Sequence, residues 1–224
     1  MVNPYATLVL VRHGKSEWNK LDLFTGWVDV DLAPEGIEEA KMAGQRIKSL
    51  SLNFDAAHCS MLKRAIKTCW LMLDVMDKVS LALNYHWRLN ERHYGDLQGK
   101  NKAETRAQFG DDQVKVWRRS FDIRPPELKS AQVLPSNYSG LSSIPKAESL
   151  KDTIDRVLPY WQTNLEPTLK QGKNLLVVAH GNSLRGLVKH LLNINDQEIV
   201  NFEIATGDPL VFTFDKDMKV SLEK

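Results

Sequence analysis

Two histidines share one local context. Four aliphatic residues run into x-His-Gly-x-Ser in LVLVRHGKS, which holds His13, and again in LLVVAHGNS, which holds His180. An apolar run halted at glycine suits a strand that is buried on both faces and ends in a turn. In a parallel sheet covered by helices, ligands bind at the carboxyl ends of the strands, where loops and helix N-termini converge. Both histidines are therefore expected at one shared site, each followed by a glycine that lets the backbone turn beside a ligand. Arg12 directly precedes His13, and SMLKRAIKT puts Arg64 in the first turn of a helix that follows a third strand. A guanidinium at such a junction points to the same sheet edge, where its planar fork holds phosphate oxygens in pairs.

Two arginines and two histidines at one edge describe a pocket for a phosphate dianion. The sequence has neither a Walker A loop nor a cysteine-based phosphate loop, which leaves an imidazole as the nucleophile. Neighbouring cations disfavour imidazolium, so one histidine is expected to stay neutral and able to attack phosphorus. The remaining cations would stabilise charge on the equatorial oxygens. Glu91, in RLNERHYGDLQG, is the candidate for carrying a proton to the leaving oxygen, because a carboxyl beside phosphates is pushed toward the range useful for that task. Taken singly, each of these residues has a plainer reading as a structural histidine, a solvated arginine or a paired glutamate. The duplicated context favours chemistry.

The elements that must position these groups follow from apolar spacing. Leu8 to Val11, Leu175 to Val178 and, more weakly, Phe54 to Cys59 are expected strands. Ile37, Ala40, Ala43, Ile47 and Leu50 recur at helical spacing after Pro34, a residue tolerated in a first turn. Leu62, Ile66, Cys69, Leu73 and Met76 form a second such stripe. NKAE at Asn101 to Glu104 has the form of a capping box and predicts a helix opening there, before Trp117. A later helix carries Ile154, Val157, Trp161 and Leu165 inward, with Pro159 bending or breaking it. PLVFTF, from Pro209 to Phe214, predicts a further strand at an edge. Alternating strands and helices imply a three-layer α/β/α sandwich around a mostly parallel central sheet. The region 124–147, with several prolines and no apolar period, is expected to be a long surface loop or lid within one domain spanning 1–224.

The bulk composition narrows the function. The 30 basic residues nearly cancel 28 acidic ones, so no general affinity for nucleic acid or membrane is expected and any anion must be met locally. The N-terminal apolar run is too short for a signal segment or a membrane span, and the expectation is a cytoplasmic protein. Cys59 and Cys69 lack C-x-x-C spacing and read as small buried side chains. His58, His86, His93 and His190 form no H-x-x-x-H or H-E-x-x-H pattern, so no metal site is expected. Trp18 and Trp27 flank the expected site, while Trp70, Trp87, Trp117 and Trp161 read as core or interface aromatics.

In order along the chain stand RHGKSEWN, FTGW, LKRAIKT, LNERHYG, NKAE, WRRSF, RPP and AHGNSLR. Arg-His-Gly alone would match many chains by chance, but this ordered set resembles the 2,3-bisphosphoglycerate-dependent phosphoglycerate mutase family of the histidine phosphatase superfamily. The resemblance runs from Leu8 to Phe214. It implies that His13 is phosphorylated, with Arg12, Arg64, Asn19 and His180 around the transferred group and Glu91 as proton donor and acceptor. It also implies that Thr25, Gly26, Arg92, Tyr94, Lys102, Arg118, Arg119 and Asn182 contact the substrate's carboxylate or second phosphate. The implied reaction interconverts 3-phosphoglycerate and 2-phosphoglycerate, primed by 2,3-bisphosphoglycerate and without a metal, in a protein that is often a homodimer. Lys15 stands where the family usually carries glutamate, and the proline-rich region and the stretch after the last strand are short. Both points keep open a phosphatase or a bisphosphoglycerate synthase on the same scaffold. A phospholigand-binding protein without catalysis is a third alternative, against which stands the retention of both histidines and Glu91.

Overall fold

A computed structural model describes residues 4–223. The chain begins with β1 (Ala6–Arg12), a short helix α1 (Glu17–Lys20) and α2 (Pro34–Ser49). It continues through β2 (Ala56–Cys59), α3 (Lys63–Val75) and β3 (Leu83–Tyr85) to α4 (Lys102–Phe109) and α5 (Asp111–Arg119). After a long irregular stretch come α6 (Leu150–Tyr160), α7 (Glu166–Leu169), β4 (Leu175–Ala179) and α8 (Gly181–Leu192). The short α9 (Asp196–Ile199) leads to β5 (Pro209–Phe214) and β6 (Val220–Leu222).

The six strands form one sheet in the order β3-β2-β4-β1-β5-β6. The first four are mutually parallel, β5 runs antiparallel to β1, and β6 runs antiparallel to β5. Side chains alternate across the sheet. Leu8, Leu10, Leu175 and Val177 enter the core under α6 and α8, whereas Val9, Val11, Leu176 and Val178 enter the core under α2 and α3. Both aliphatic runs are therefore buried on two faces, which is why they show no polar alternation. This is the expected three-layer α/β/α arrangement.

The β1–β4 register decides the position of the site. Leu8 lies opposite Leu175 and Arg12 opposite Ala179, so the two x-His-Gly-x-Ser segments are aligned residue for residue. The His13 amide donates to the Ala179 carbonyl at 3.0 Å. The two following glycines serve different ends. A Cβ on Gly14 would lie 2.2 Å from the Gly36 carbonyl oxygen, so glycine is needed for the close approach of the β1 exit to the first turn of α2. A Cβ on Gly181 would meet only side chains, those of Arg12 and Glu91, at ordinary contact distance.

Several elements differ from the sequence expectation. PLVFTF is internal rather than an edge strand, because β6 pairs along its outer side. Its proline is tolerated as the first strand residue. The helix expected to open at Asn101 ends at Phe109, and Trp117 lies on a second helix, α5. Asn101 Oδ1 accepts from the amides of Ala103 and Glu104, but Gly110, at φ 84°, breaks the path before α5. Leu50 caps α2 and is exposed rather than part of its inward stripe. Pro159 does not end the helical path, which continues from α6 to α7. The turn from Trp161 to Leu165 widens to a π-helix, Thr163 Oγ1 donates to the Pro159 carbonyl at 2.8 Å, and Ile154, Val157, Trp161 and Leu165 all stay buried. The segment 124–147 has no helix or strand, and Tyr138 within it accepts from Asn90 Nδ2 at 3.3 Å beside the carboxyl end of the sheet.

Candidate active site

His13 leaves β1 and His180 leaves β4, and their ring centroids lie 4.9 Å apart. Both are buried. His13 Nδ1 is 2.6 Å from the Gly14 carbonyl oxygen, an acceptor only, so Nδ1 carries the proton and the lone pair is left on Nε2. Arg64 Nε donates to that Nε2 at 3.3 Å. Burial first, then the charges of Arg64 and Arg12, holds His13 well below the usual imidazole range. The cations named from the sequence thus contribute, but desolvation leads. His180 is likewise held neutral by burial, with Arg64, His13, Arg12 and Arg156 adding to it. Its Nε2 pairs with Ser60 Oγ at 2.7 Å, and its Nδ1 is buried with no partner.

Arg64 is fully enclosed in the first turn of α3 and is aimed by two backbone carbonyls. Its Nη2 donates to Gly26 at 2.8 Å and its Nη1 to Val28 at 3.0 Å. Burial draws its pKa down to about 10, opposed by Glu91, and it stays charged at neutral pH. Arg12 Nη1 donates to the Ile204 carbonyl at 2.8 Å, while its buried Nε has no partner. Glu91 Oε1 accepts from the Arg92 amide at 2.8 Å and from the amide and side chain of Asn182 at 3.1 and 2.9 Å. Three donors on one oxygen fix the carboxyl and turn Oε2 toward Gly181 and the cavity.

The cavity is lined by Arg12, His13, Asn19, Thr25, Gly26, Arg64, Glu91, Tyr94, Lys102, Arg118, Arg119 and Asn182, all singled out from the sequence. Asn19 Oδ1 serves the Ser16 capping box of α1, which fixes which way its amide faces. Thr25 Oγ1 is buried without a partner. Lys102 Nζ pairs with Asp22 at 2.8 Å, and Arg119 pairs with Glu203 at 2.6 Å. His180 and Arg92 do not line the cavity. Arg92 is buried with its guanidinium 4.5 Å from the centre of the Tyr94 ring, and its Nη2 donates to the Arg118 carbonyl at 3.0 Å. Trp18 and Trp27 do not line it either. Trp27 instead holds the Glu91 carbonyl through its indole N–H.

Four functional neighbours escaped the sequence reading. Arg185 and Glu203 line the cavity, Ser60 holds His180, and Arg156 clamps the Glu91 segment. Ser60 and Arg185 had signals. Ser60 follows the end of β2 as His13 follows β1, and Arg185 lies three residues after Asn182 on the same helix. Arg156 had none, since it sits on a helix distant in sequence. It donates to the carbonyls of Arg88 and Glu91 and pairs with Glu148 at 2.7 Å, with both side chains under a tenth exposed. Arg156→Met leaves Glu148 buried and uncompensated, and is expected to lower unfolding free energy by about 3–5 kcal/mol in urea titration. An unchanged midpoint would mean that the clamp is dispensable.

Buried neutral histidines also set a pH dependence. His58, paired with Tyr160 in the core, is lowered to about 4 by burial, and His13 and His180 are lowered as well. Below the unfolded value near 6.5 the unfolded chain takes up protons that the native chain refuses. Their stabilisation is therefore complete above about pH 6.5 and is lost as pH falls toward the folded values, by up to about 1.4 kcal/mol per pH unit per histidine. Urea midpoints at pH 7, 6 and 5 should fall in that order. Equal midpoints would contradict neutral burial.

Residues 8–223 match the histidine phosphatase superfamily (branch 1). A 2,3-bisphosphoglycerate-dependent phosphoglycerate mutase of Treponema denticola is 53% identical over 219 residues, covering 95% of this chain and 89% of the relative. The fold resembles a mycobacterial glucosyl-3-phosphoglycerate phosphatase, with TM-score 0.76 at 20% identity over 97% of both chains. It also resembles a phosphoserine phosphatase of Entamoeba histolytica solved with 3-phosphoglyceric acid, with TM-score 0.70 at 22% identity over 98% of this chain and 95% of the other. No helix among the described residues is long and apolar enough to cross a membrane.

Proposed function

The chain belongs to the histidine phosphatase superfamily, branch 1, and from that premise we propose that it interconverts 3-phosphoglycerate and 2-phosphoglycerate through phospho-His13, primed by 2,3-bisphosphoglycerate. One observation carries the chemistry: the Gly14 carbonyl holds the proton on His13 Nδ1, so that an unprotonated Nε2 faces the guanidinium of Arg64. A neutral imidazole is the nucleophile that phosphoryl transfer needs, and the fixed cations meet the charge that develops on the phosphoryl oxygens.

In the priming direction, His13 Nε2 forms a bond to phosphorus while the P–O bond to the glycerate oxygen breaks. Glu91 gives its proton to that oxygen. On return, Glu91 takes the proton from the attacking hydroxyl as phospho-His13 passes its group on. His180 donates from its unpartnered Nδ1, with Ser60 holding the opposite nitrogen, and Arg12 and Asn19 add further donors. The primer fits the residues present. The unpartnered buried hydroxyl of Thr25, which lines the cavity, is a group that a second anionic end would satisfy, and Lys102, Arg118 and Arg119 supply positive charge away from His13. Thr25, Gly26, Arg92, Tyr94 and Asn182 act as the surrounding substrate contacts, Arg92 through Tyr94. The segment 124–147 acts as a lid within a single domain, and the working unit is a cytoplasmic homodimer.

The test is to incubate the protein with labelled 2,3-bisphosphoglycerate and look for an acid-labile phosphoryl group on His13, then chase it with 3-phosphoglycerate. Label should pass to phosphoglycerate. Net release as inorganic phosphate would instead assign a phosphatase, and accumulation as bisphosphoglycerate a synthase.

A further inference from the structure

Glu203 is a carboxylate on the rim of a cavity otherwise built for anions. It comes from the irregular segment between α9 and β5 and pairs with Arg119 at 2.6 Å and with Arg185 at 3.4 Å. Six cations line this cavity against two carboxylates, Glu91 and Glu203. Glu91 is fixed by three donors, whereas the Glu203 side chain is 61% exposed and, among the described residues, is held by these two arginines alone. Arg185 does not depend on Glu203 for its position. Its Nε donates to the Phe202 carbonyl at 2.7 Å and its Nη1 to Asn182 Oδ1 at 3.2 Å.

Resting on the phosphoglycerate reading of the site, we propose that Glu203 is an internal competitor for the substrate's carboxylate, occupying Arg119 and Arg185 until the ligand displaces it. Both pairs are open to water on the Glu203 side, where screening and the side-chain freedom lost in pairing leave little net stabilisation. Glu203 therefore yields readily to a ligand anchored elsewhere by its phosphate, and it makes the site discriminate. A small anion that lacks a second charged end must share the arginines with Glu203, whereas a phosphoglycerate brings its own carboxylate to replace it. Displacement needs only rotation of the Glu203 side chain, since Arg185 keeps its other bonds.

The measurement is calorimetric binding, without primer, of 3-phosphoglycerate and of glycerol 3-phosphate, which lacks the carboxylate, to the wild-type protein and to Glu203→Gln. Glu203→Gln should bind 3-phosphoglycerate about 2- to 5-fold more tightly, with glycerol 3-phosphate changed much less. Weaker binding of 3-phosphoglycerate would make Glu203 an orienting partner of the arginines and overturn the proposal. So would unchanged binding, or equal tightening of both ligands, which would reduce Glu203 to a general field effect. If the wild-type protein binds both ligands but performs no primed interconversion, the mutase reading fails and the comparison of the two ligands still decides the role of Glu203.

Discussion

His13→Gln is expected to abolish the phosphoenzyme and to lower kcat by at least about four orders of magnitude, as removal of a covalent nucleophile does. Glutamine is uncharged and close in size to the buried neutral imidazole, so the fold should survive, and a thermal melt near the wild-type value would show that it has. No other residue takes over. His180 directs Nε2 to Ser60, and both cysteines are buried in the opposite core under α2 and α3. The check is trapping of label from 2,3-bisphosphoglycerate at neutral pH. Substantial labelling of the variant would place the nucleophile elsewhere and remove the basis of the mechanism.

Glu91→Gln should lower kcat by about 10²- to 10⁴-fold with phosphoglycerate substrates, the range typical of a lost general acid and base. Glutamine keeps an acceptor oxygen for the Arg92 and Asn182 donors, so the loss isolates proton transfer from architecture. A second substrate separates the roles further. With p-nitrophenyl phosphate, whose leaving group departs without protonation, dephosphorylation of the ester onto His13 should fall far less. An equal fall for both substrates would make Glu91 a positioning residue only.

Much of the site was legible because its residues lie in short motifs tied to strand ends. His13, His180, Arg12 and Arg64 could be placed together because a parallel strand pair carries its carboxyl ends to one edge, and the β1–β4 register makes that alignment exact to the residue. The core was legible for the same reason, since the aliphatic runs must be buried on both faces. Strand pairing at the other edge was not. Three-residue strands such as β3 and β6 have too little pattern to announce themselves, and without β6 the interior position of β5 could not be inferred. The split of the Asn101 helix depended on one glycine whose tolerated backbone angles include both outcomes.

The amino-acid order by itself determined the reactive groups, the strands that carry them and the family they resemble, because these are local matters of residue type and periodicity. Only the tertiary structure decided the burial of His13 and the approach of Arg64 to its Nε2, the clamp of Arg156 on the Glu91 segment and the intrusion of Glu203 among the arginines. Desolvation, carbonyl direction and charge proximity are properties of chain segments brought together from far apart, and no window along the sequence contains both members of such pairs.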